Sequence, residues 1–497
     1  MKHPLRNIAK GAGIVLFGII ISKFLGYLYR IIIARLGPEA YGELSLGLAV
    51  FGILSIVSIL GLDMGILRYI SIYKSKNQNE QIKGTITFAM KTTVTIAIIL
   101  GTLLFIFANQ ISTFFFHTEN ITILIKIIAF ALPFEAIRVI TVNTFKAFSK
   151  IQYDVYTRIL TENTLKIILT LIFIQLGLSV TGAILAFTLS IIISTIFSLT
   201  VLQTKVFKLT NKIKSICKRK EVLLYSIPLL FNSLTIMIIT WIDTLMLGFF
   251  RTTAEVGIYN AAIPTAKLIL ILPTAMIGLF IPTISEYLDN KTQLRRLFYI
   301  TTKWILIINL LFLSLAIIFS QELLTILFGS QYTAGYIALT ILITGYFING
   351  LVYTSRDILM LLKKSKIILI ATLIGGTLNI ILNYILIPIY GFNGAAMATA
   401  ISLIILSLIL FIKTKIKLIN FKLIKVFIVG ALSALLTYYI ITLITIQNQI
   451  LLVLTGTIIM LTIYPIALYI TNSFEKQDIT IMKTIRSKLK WTNTPMR

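Results

Sequence analysis

The sequence predicts an all-α, polytopic membrane protein of about fourteen transmembrane helices, arranged as two parallel six-helix lobes plus two C-terminal helices. Three observations predict it. Apolar residues make up 58% of the 497-residue chain and gather into fourteen stretches, each long enough to cross a bilayer. The 45 Lys and Arg residues sort to one side of that array. Short patterns also recur at a nearly constant interval.

A spanning helix needs roughly 20 mostly apolar residues, because lipid offers its backbone no hydrogen-bond partners. Spans are predicted at 11–34, 43–67, 87–109, 122–145, 156–176, 181–204, 222–249 and 258–285. The remaining six fall at 298–319, 334–355, 367–388, 393–412, 424–445 and 449–470. The first carries Lys23 and Arg30 and is too long for a cleavable signal, so it reads as a span.

With spans alternating in direction, 35 of the 45 basic residues share the side of the N-terminus. They include Lys2, Arg6 and Lys10, the run from Lys205 to Lys220 with Lys212, the group Lys291, Arg295, Arg296 and Lys303, the group from Lys413 to Lys425 with Lys417, and six cations in the C-terminal tail. The opposite connections hold little beyond Arg35 and Arg251. By the positive-inside rule, both termini of this multi-pass cell-membrane protein are expected in the cytoplasm. A net charge of +28 would suggest nucleic acid in a soluble protein. Here the cations form short clusters beside spans, which reads as topology signal and contact with anionic headgroups at the cytoplasmic face, with no nucleic-acid partner. The single Cys217 falls in a cytoplasmic loop and reads as an inert thiol.

The recurring patterns mark an internal duplication. ISTFFFHTEN and LLTILFGSQY set Phe116 against Phe328, 212 residues apart, and LSVTGAILAFTLS and YGFNGAAMATAIS set Gly182 against Gly394 at the same interval. AYGELSL and EVGIYNA set Gly42 against Gly257, 215 residues apart. An even number of spans per copy makes the repeats parallel, a symmetry usually used for alternating access. The expected organisation is an N-lobe at 1–204, a basic linker at 205–221, a C-lobe at 222–412, two further helices at 413–470 and a basic tail at 471–497.

A charge at the centre of a span costs about 2.5–3.5 kcal/mol on insertion scales, so it faces a wet cavity or a partner. Lys23, Tyr27 and Arg30 share one face of the first span by their i+4 and i+7 spacing. Span 4 carries Glu135 and Arg138, span 5 carries Arg158, Glu162 and Lys166 at successive i+4 steps, and span 8 carries Lys267. Arg68, Lys91 and Lys126 lie near span ends and read as interfacial anchors. The pairs involving Glu135 and Glu162 fit either mutual neutralisation or a ligand site. Lys23, Arg30 and Lys267 have no carboxylate one turn away and point to an anionic ligand such as a phosphate. Asp63 and Asp243, near span ends, fit capping or ion coupling. Prolines 133, 228, 264, 273, 282, 388 and 465 lie in or beside spans and can bend them.

Catalysis is not expected. The histidines, His3 and His117, lie outside the spans, no Walker-type sequence occurs, and no metal or cofactor site is indicated.

The stretches SKFLGYLYRIIIARLGPEAYGELSLG (22–47), WIDTLMLGFF (241–250) with EVGIYNAA (255–262), LLTILFGSQY (323–332) and FNGAAMATAIS (392–402) resemble the polysaccharide-transporter branch of the MOP flippase superfamily. That superfamily also holds the lipid II flippases and the MATE drug exporters. The resemblance covers nearly the whole chain. It implies two six-helix lobes around a V-shaped cavity, and movement of an undecaprenyl- or dolichol-linked oligosaccharide to the outer leaflet. Association with glycosyltransferases or a polymerase, and a monomeric carrier, fit that role. In the lipid II flippases a basic residue after Ser on the first helix lines the cavity, and Ser22 and Lys23 match that pattern. The family's neighbouring basic position falls at Tyr29, one residue before Arg30. The alternative implied by the superfamily is an ion-coupled exporter of small molecules. Ion-coupled MATE exporters tend to carry an acid on the first helix, which is absent here, and a cationic drug would meet Lys23 and Arg30.

Overall fold

The computed structural model of the chain describes residues 18, 21–210, 213–276, 287, 290–415, 421–444, 446–473 and 478. The cluster Lys2, Arg6 and Lys10, then Lys212, Pro282, Lys417 and the six tail cations lie outside the described residues.

Helix underlies most of every predicted span among the described residues. In chain order these are α1 (residues 21–34), α2 (Pro38–Ile59), α3 (Leu62–Ser75), α4 (Asn79–Ile106), α5 (Ile121–Ala129), α6 (Ala131–Ala147), α7 (Thr161–Gln175) and α8 (Ser179–Val201). They continue with α9 (Arg219–Phe250), α10 (Thr253–Lys267), α11 (Lys291–Ile318), α12 (Ser320–Phe328), α13 (Tyr336–Leu361), α14 (Ser365–Thr414), α15 (Phe421–Leu443) and α16 (Gln449–Ile470). Among the described residues, nine helices are individually long and apolar enough to cross a membrane, and ten with α9 included. The others are shortened by breaks inside a predicted span. The span expected at 43–67 is interrupted at Leu60 and Gly61, both in the left-handed region (φ 53° and 69°), and helix restarts at Leu62. A π-helical segment, Val155–Leu160, precedes α7.

The long helix α14 contains two spans. Gly391 (φ 57°, ψ −137°) breaks it, and a Cβ at Gly394 would lie 2.2 Å from the Leu386 carbonyl oxygen. Eight residues of straight helix would separate those groups by about 12 Å, so the chain turns back there. Arg251 holds the turn by donating to the carbonyls of Ile387 (3.1 Å) and Pro388 (2.7 Å), while Glu255 accepts from the Phe392 N–H at 3.3 Å. The carbonyls ending one helix thus receive a cation and the N–H groups starting the next receive a carboxylate, as the helix dipole favours.

The chain forms two compact units, residues 1–261 with 380–395, and residues 262–379 with 396–497. Packing joins α9 to the first unit. The reason is close backbone approach. A Cβ at Gly42 would lie 1.8 Å from the Thr253 carbonyl oxygen, and one at Gly257 would lie 1.9 Å from that of Pro38. Only glycine permits that distance, and these are the two glycines that the internal repeat had aligned. In the second unit, Tyr464 donates to the Ile307 carbonyl at 3.1 Å and ties α16 to α11.

Candidate substrate site

The first unit gathers most of the predicted site residues around α1, α6 and α7. Ser22 and Tyr29 fasten α1 in place: Asn163 donates to the Ser22 hydroxyl at 3.4 Å, and Tyr29 reaches the Ala183 carbonyl at 3.4 Å. The ammonium of Lys166, only 9% exposed, stands 4.6 Å above the Tyr29 ring and donates to Asn163 Oδ1 at 3.2 Å. A cation over an aromatic face is attracted by the ring quadrupole, more strongly where water is excluded.

Arg138 is buried between two carboxylates. Its Nε donates to Glu135 at 2.9 Å, its Nη2 makes an ion pair with the same carboxylate, and its Nη1 lies 2.8 Å from Glu162. That last contact is an ion pair without hydrogen-bond alignment. Lys166 lies within electrostatic reach of Glu162, Arg138 and Arg30. Arg30 is half-buried and donates to the Tyr41 hydroxyl at 3.1 Å, which donates to the Asn260 carbonyl at 3.0 Å. Arg138 thus pairs with both Glu135 and Glu162, Lys166 is within reach of Glu162, and Arg30 is bonded to the Tyr41 hydroxyl instead.

Lys23 sits apart on the same face of α1 as the half-buried Tyr27. It is exposed, with no hydrogen bond or ion pair among the described residues. Lys267 belongs to the second unit, half-buried, 5.8 Å over the Tyr346 ring.

One local expectation is corrected. The i+4 ladder of Arg158, Glu162 and Lys166 is not a run of neighbouring pairs. Arg158 turns back to Asp154 (2.6 and 3.1 Å), which Lys146 also approaches at 3.8 Å, and Glu162 crosses to Arg138. The π-helical segment between 155 and 160 adds a residue per turn, which shifts the register and separates Arg158 from Glu162. Asp154, 4% exposed, is a site carboxylate that sequence reasoning missed. Its i, i+4 spacing to Arg158 was the available signal.

Asp63 lies in the first turn of α3, where free N–H groups and the helix dipole favour a carboxylate. Asp243 is buried in the first unit, accepting from Tyr259 (2.6 Å) and Asn383 (2.6 Å). Lys303, read as a loop cation, is instead 1% exposed and bonded to Asp478 at 2.6 Å. No group of three or more metal-ligating side chains occurs among the described residues.

The profile of the family described as "Polysaccharide biosynthesis protein" matches residues 8–288, more than half of the chain. The chain belongs to that family. The MatE profile also matches, over residues 228–385. An uncharacterized membrane protein of Methanocaldococcus jannaschii, MJ1068, is 27% identical over 96% of this chain and 98% of its own length. The probable low-salt glycan biosynthesis flippase Agl15 of Haloferax volcanii is 30% identical over 33% of this chain and 35% of its own length. Among solved structures, that of the lipid II flippase MurJ in an inward closed conformation matches with TM-score 0.74 at 18% identity, covering 92% of this chain and 98% of that one. An inward-facing multidrug resistance MATE transporter of the MOP superfamily matches with TM-score 0.66 at 16% identity, covering 80% and 94%. The polysaccharide biosynthesis family member thus has the helical membrane fold of the MOP superfamily, as the resemblance implied.

Proposed function

We propose that the protein is a flippase that carries a polyprenyl- or dolichyl-linked oligosaccharide from the cytoplasmic to the outer leaflet by alternating access. The observation that carries this reading is the excess of positive charge in the first unit. Arg138 pairs with both Glu135 and Glu162, Lys166 reaches only Glu162, Arg30 is bonded to a hydroxyl, and Lys23, about two turns from Arg30 on the same face of α1, is committed to none. A buried or membrane-level cation in excess favours an anionic group from outside, and a phosphate or pyrophosphate supplies one. Lys23, Arg30 and Lys166 are assigned to the phosphate, with Tyr27 beside them. Arg138 is assigned to holding Glu135 and Glu162 in place as much as to the ligand. Lys267 is assigned to the same class of ligand in the second unit. Family membership and the partial match to proteins named as glycan flippases support the substrate class.

With both termini cytoplasmic, outward movement of the anion runs down a negative-inside potential, worth about 2.3 kcal/mol per charge per 100 mV. The test is a leaflet-accessibility assay on a fluorescent lipid-linked oligosaccharide in proteoliposomes. Protein-dependent outward transfer, slowed when the potential is collapsed, is the expected result. No transfer above that of empty liposomes would overturn the function, and a rate indifferent to potential would remove the proposed driving force.

A further inference from the structure

One face of α4, remote in sequence from the cluster above, carries polar groups that the transport reading does not use. The linker is pinned alongside it: Ile216 N–H donates to the Glu80 carbonyl at 3.2 Å, and Lys83 Nζ donates to that of Ile213 at 3.1 Å. Gly84 permits the approach, since a Cβ there would lie 2.0 Å from the Ile216 carbonyl oxygen. Between helix and linker opens a cavity of about 890 Å³. Its cations are Lys91 and Arg219, and Thr87, Thr92 and Thr95 add hydroxyls.

Among the described residues none of these groups has a protein hydrogen bond or ion pair; Arg219 lies 5.8 Å over the Phe88 ring and within electrostatic reach of Cys217. Glu221, two residues beyond Arg219, is occupied by Lys218 at 2.9 Å. By contrast Thr93, on the inner face of the same helix, donates to the Ala89 carbonyl at 2.9 Å. Lys91 and Arg219 are exposed at the level read as the cytoplasmic interface, where cations without a carboxylate partner attract anionic headgroups.

The same stripe continues into an apolar recess of about 360 Å³, lined by Ile98, Gly101 and Phe105 with Ala129, Phe130 and Pro133. Positions 84, 88, 91, 95, 98, 102 and 105 advance by three or four residues and so share one face. Phe105 lies about 21 Å beyond Lys91 at the helical rise, and one leaflet of a roughly 30 Å hydrocarbon core is about 15 Å deep. The recess thus runs from Ile98, about 10 Å beyond Lys91, to Phe105, and so brackets the depth of one leaflet, on a surface where Lys91, Ile98 and Phe105 are exposed.

We propose that this stripe holds an anionic phospholipid of the surrounding bilayer, its phosphate between Lys91 and Arg219, its headgroup against the threonines and one chain in the recess. The two cations without a carboxylate select an anionic over a zwitterionic headgroup. The single-leaflet length and the bilayer-facing position favour an ordinary membrane lipid over the longer glycan carrier. The inference does not depend on the transport reading.

The full chain, purified in detergent, is titrated with phosphatidylglycerol, phosphatidylethanolamine or a prenyl pyrophosphate and bound lipid is counted by native mass spectrometry. Wild type is expected to retain phosphatidylglycerol over phosphatidylethanolamine. Joint substitution Lys91→Gln with Arg219→Gln is expected to weaken that binding roughly 30-fold, while Lys366→Gln, an exposed cation of the second unit, leaves it unchanged. A second readout needs no substitution. Cys217, the one cysteine, lines the same cavity, so phosphatidylglycerol is expected to slow its labelling by a maleimide. Burial pushes that thiol up, so labelling is read at mildly alkaline pH. Equal affinity in the double variant, or labelling indifferent to phosphatidylglycerol, would overturn the site. Displacement of phosphatidylglycerol by equimolar prenyl pyrophosphate would overturn the assignment to a bilayer lipid in favour of the carrier.

Discussion

In the second unit Lys303 meets Asp478 at 2.6 Å, with 1% and 2% of the side chains exposed. In the first, Arg138 pairs with two carboxylates, Lys166 reaches one of them, and Arg30 and Lys23 stand outside the arrangement. The first case is a sealed pair that joins segments 175 residues apart. The second is unbalanced and partly open. Charge in a membrane protein thus has two uses that the amino-acid type does not distinguish: a pair shielded on both sides fixes structure, whereas an unbalanced group leaves capacity for a ligand.

The largest expected effect tests the sealed pair. Lys303→Ala leaves the Asp478 carboxylate buried without this cation and is expected to cost about 3–5 kcal/mol, read as a lower thermal midpoint in detergent. Replacing both residues, Lys303→Met with Asp478→Leu, is expected to recover most of that loss. If the single variant melts like wild type, the contrast collapses. Arg138→Ala comes next, because it strips Glu135 and Glu162 of their shared cation at an expected cost of about 3 kcal/mol. Adding Glu135→Gln should return part of it.

Lys23→Glu reverses the comparison. Its exposure and lack of partners predict a midpoint within about 0.5 kcal/mol of wild type, while outward transfer of the lipid-linked glycan falls at least roughly 10-fold, or about 1.4 kcal/mol. Loss of stability without loss of transfer would place Lys23 in the structural class instead. The smallest effect is expected from Tyr29→Phe, which keeps the ring beneath Lys166 and removes only the bond to the Ala183 carbonyl, at about 1 kcal/mol, measured by the same melt.

The spans were legible in the sequence because the bilayer imposes a length and a polarity on each helix, and both are written locally. Charge inside the spans was legible for the same reason: Lys23, Arg138 and Lys166 stand out against apolar neighbours. Partnership was not. Glu162 reaches Arg138 on another helix because a π-helical segment turns it away from Arg158, and no spacing rule announces that shift. Lys303 lay close enough to a span end to be counted with a loop, and its mate is 175 residues away. The break at Leu60 and Gly61 was hidden inside a stretch apolar enough to read as one span, since left-handed backbone leaves no mark on hydropathy.

The turn at Gly391 makes two membrane helices out of one unbroken run without spending residues on a loop. A methyl group there would lie 2.3 Å from the Glu255 carboxylate and would also have to adopt φ 57°. An epitope tag or protease site inserted at this position would pull Arg251 and Glu255 off both helix ends together, so topology mapping by insertion should avoid it and use the stretch around His117 to Asn120, where the helix is already interrupted.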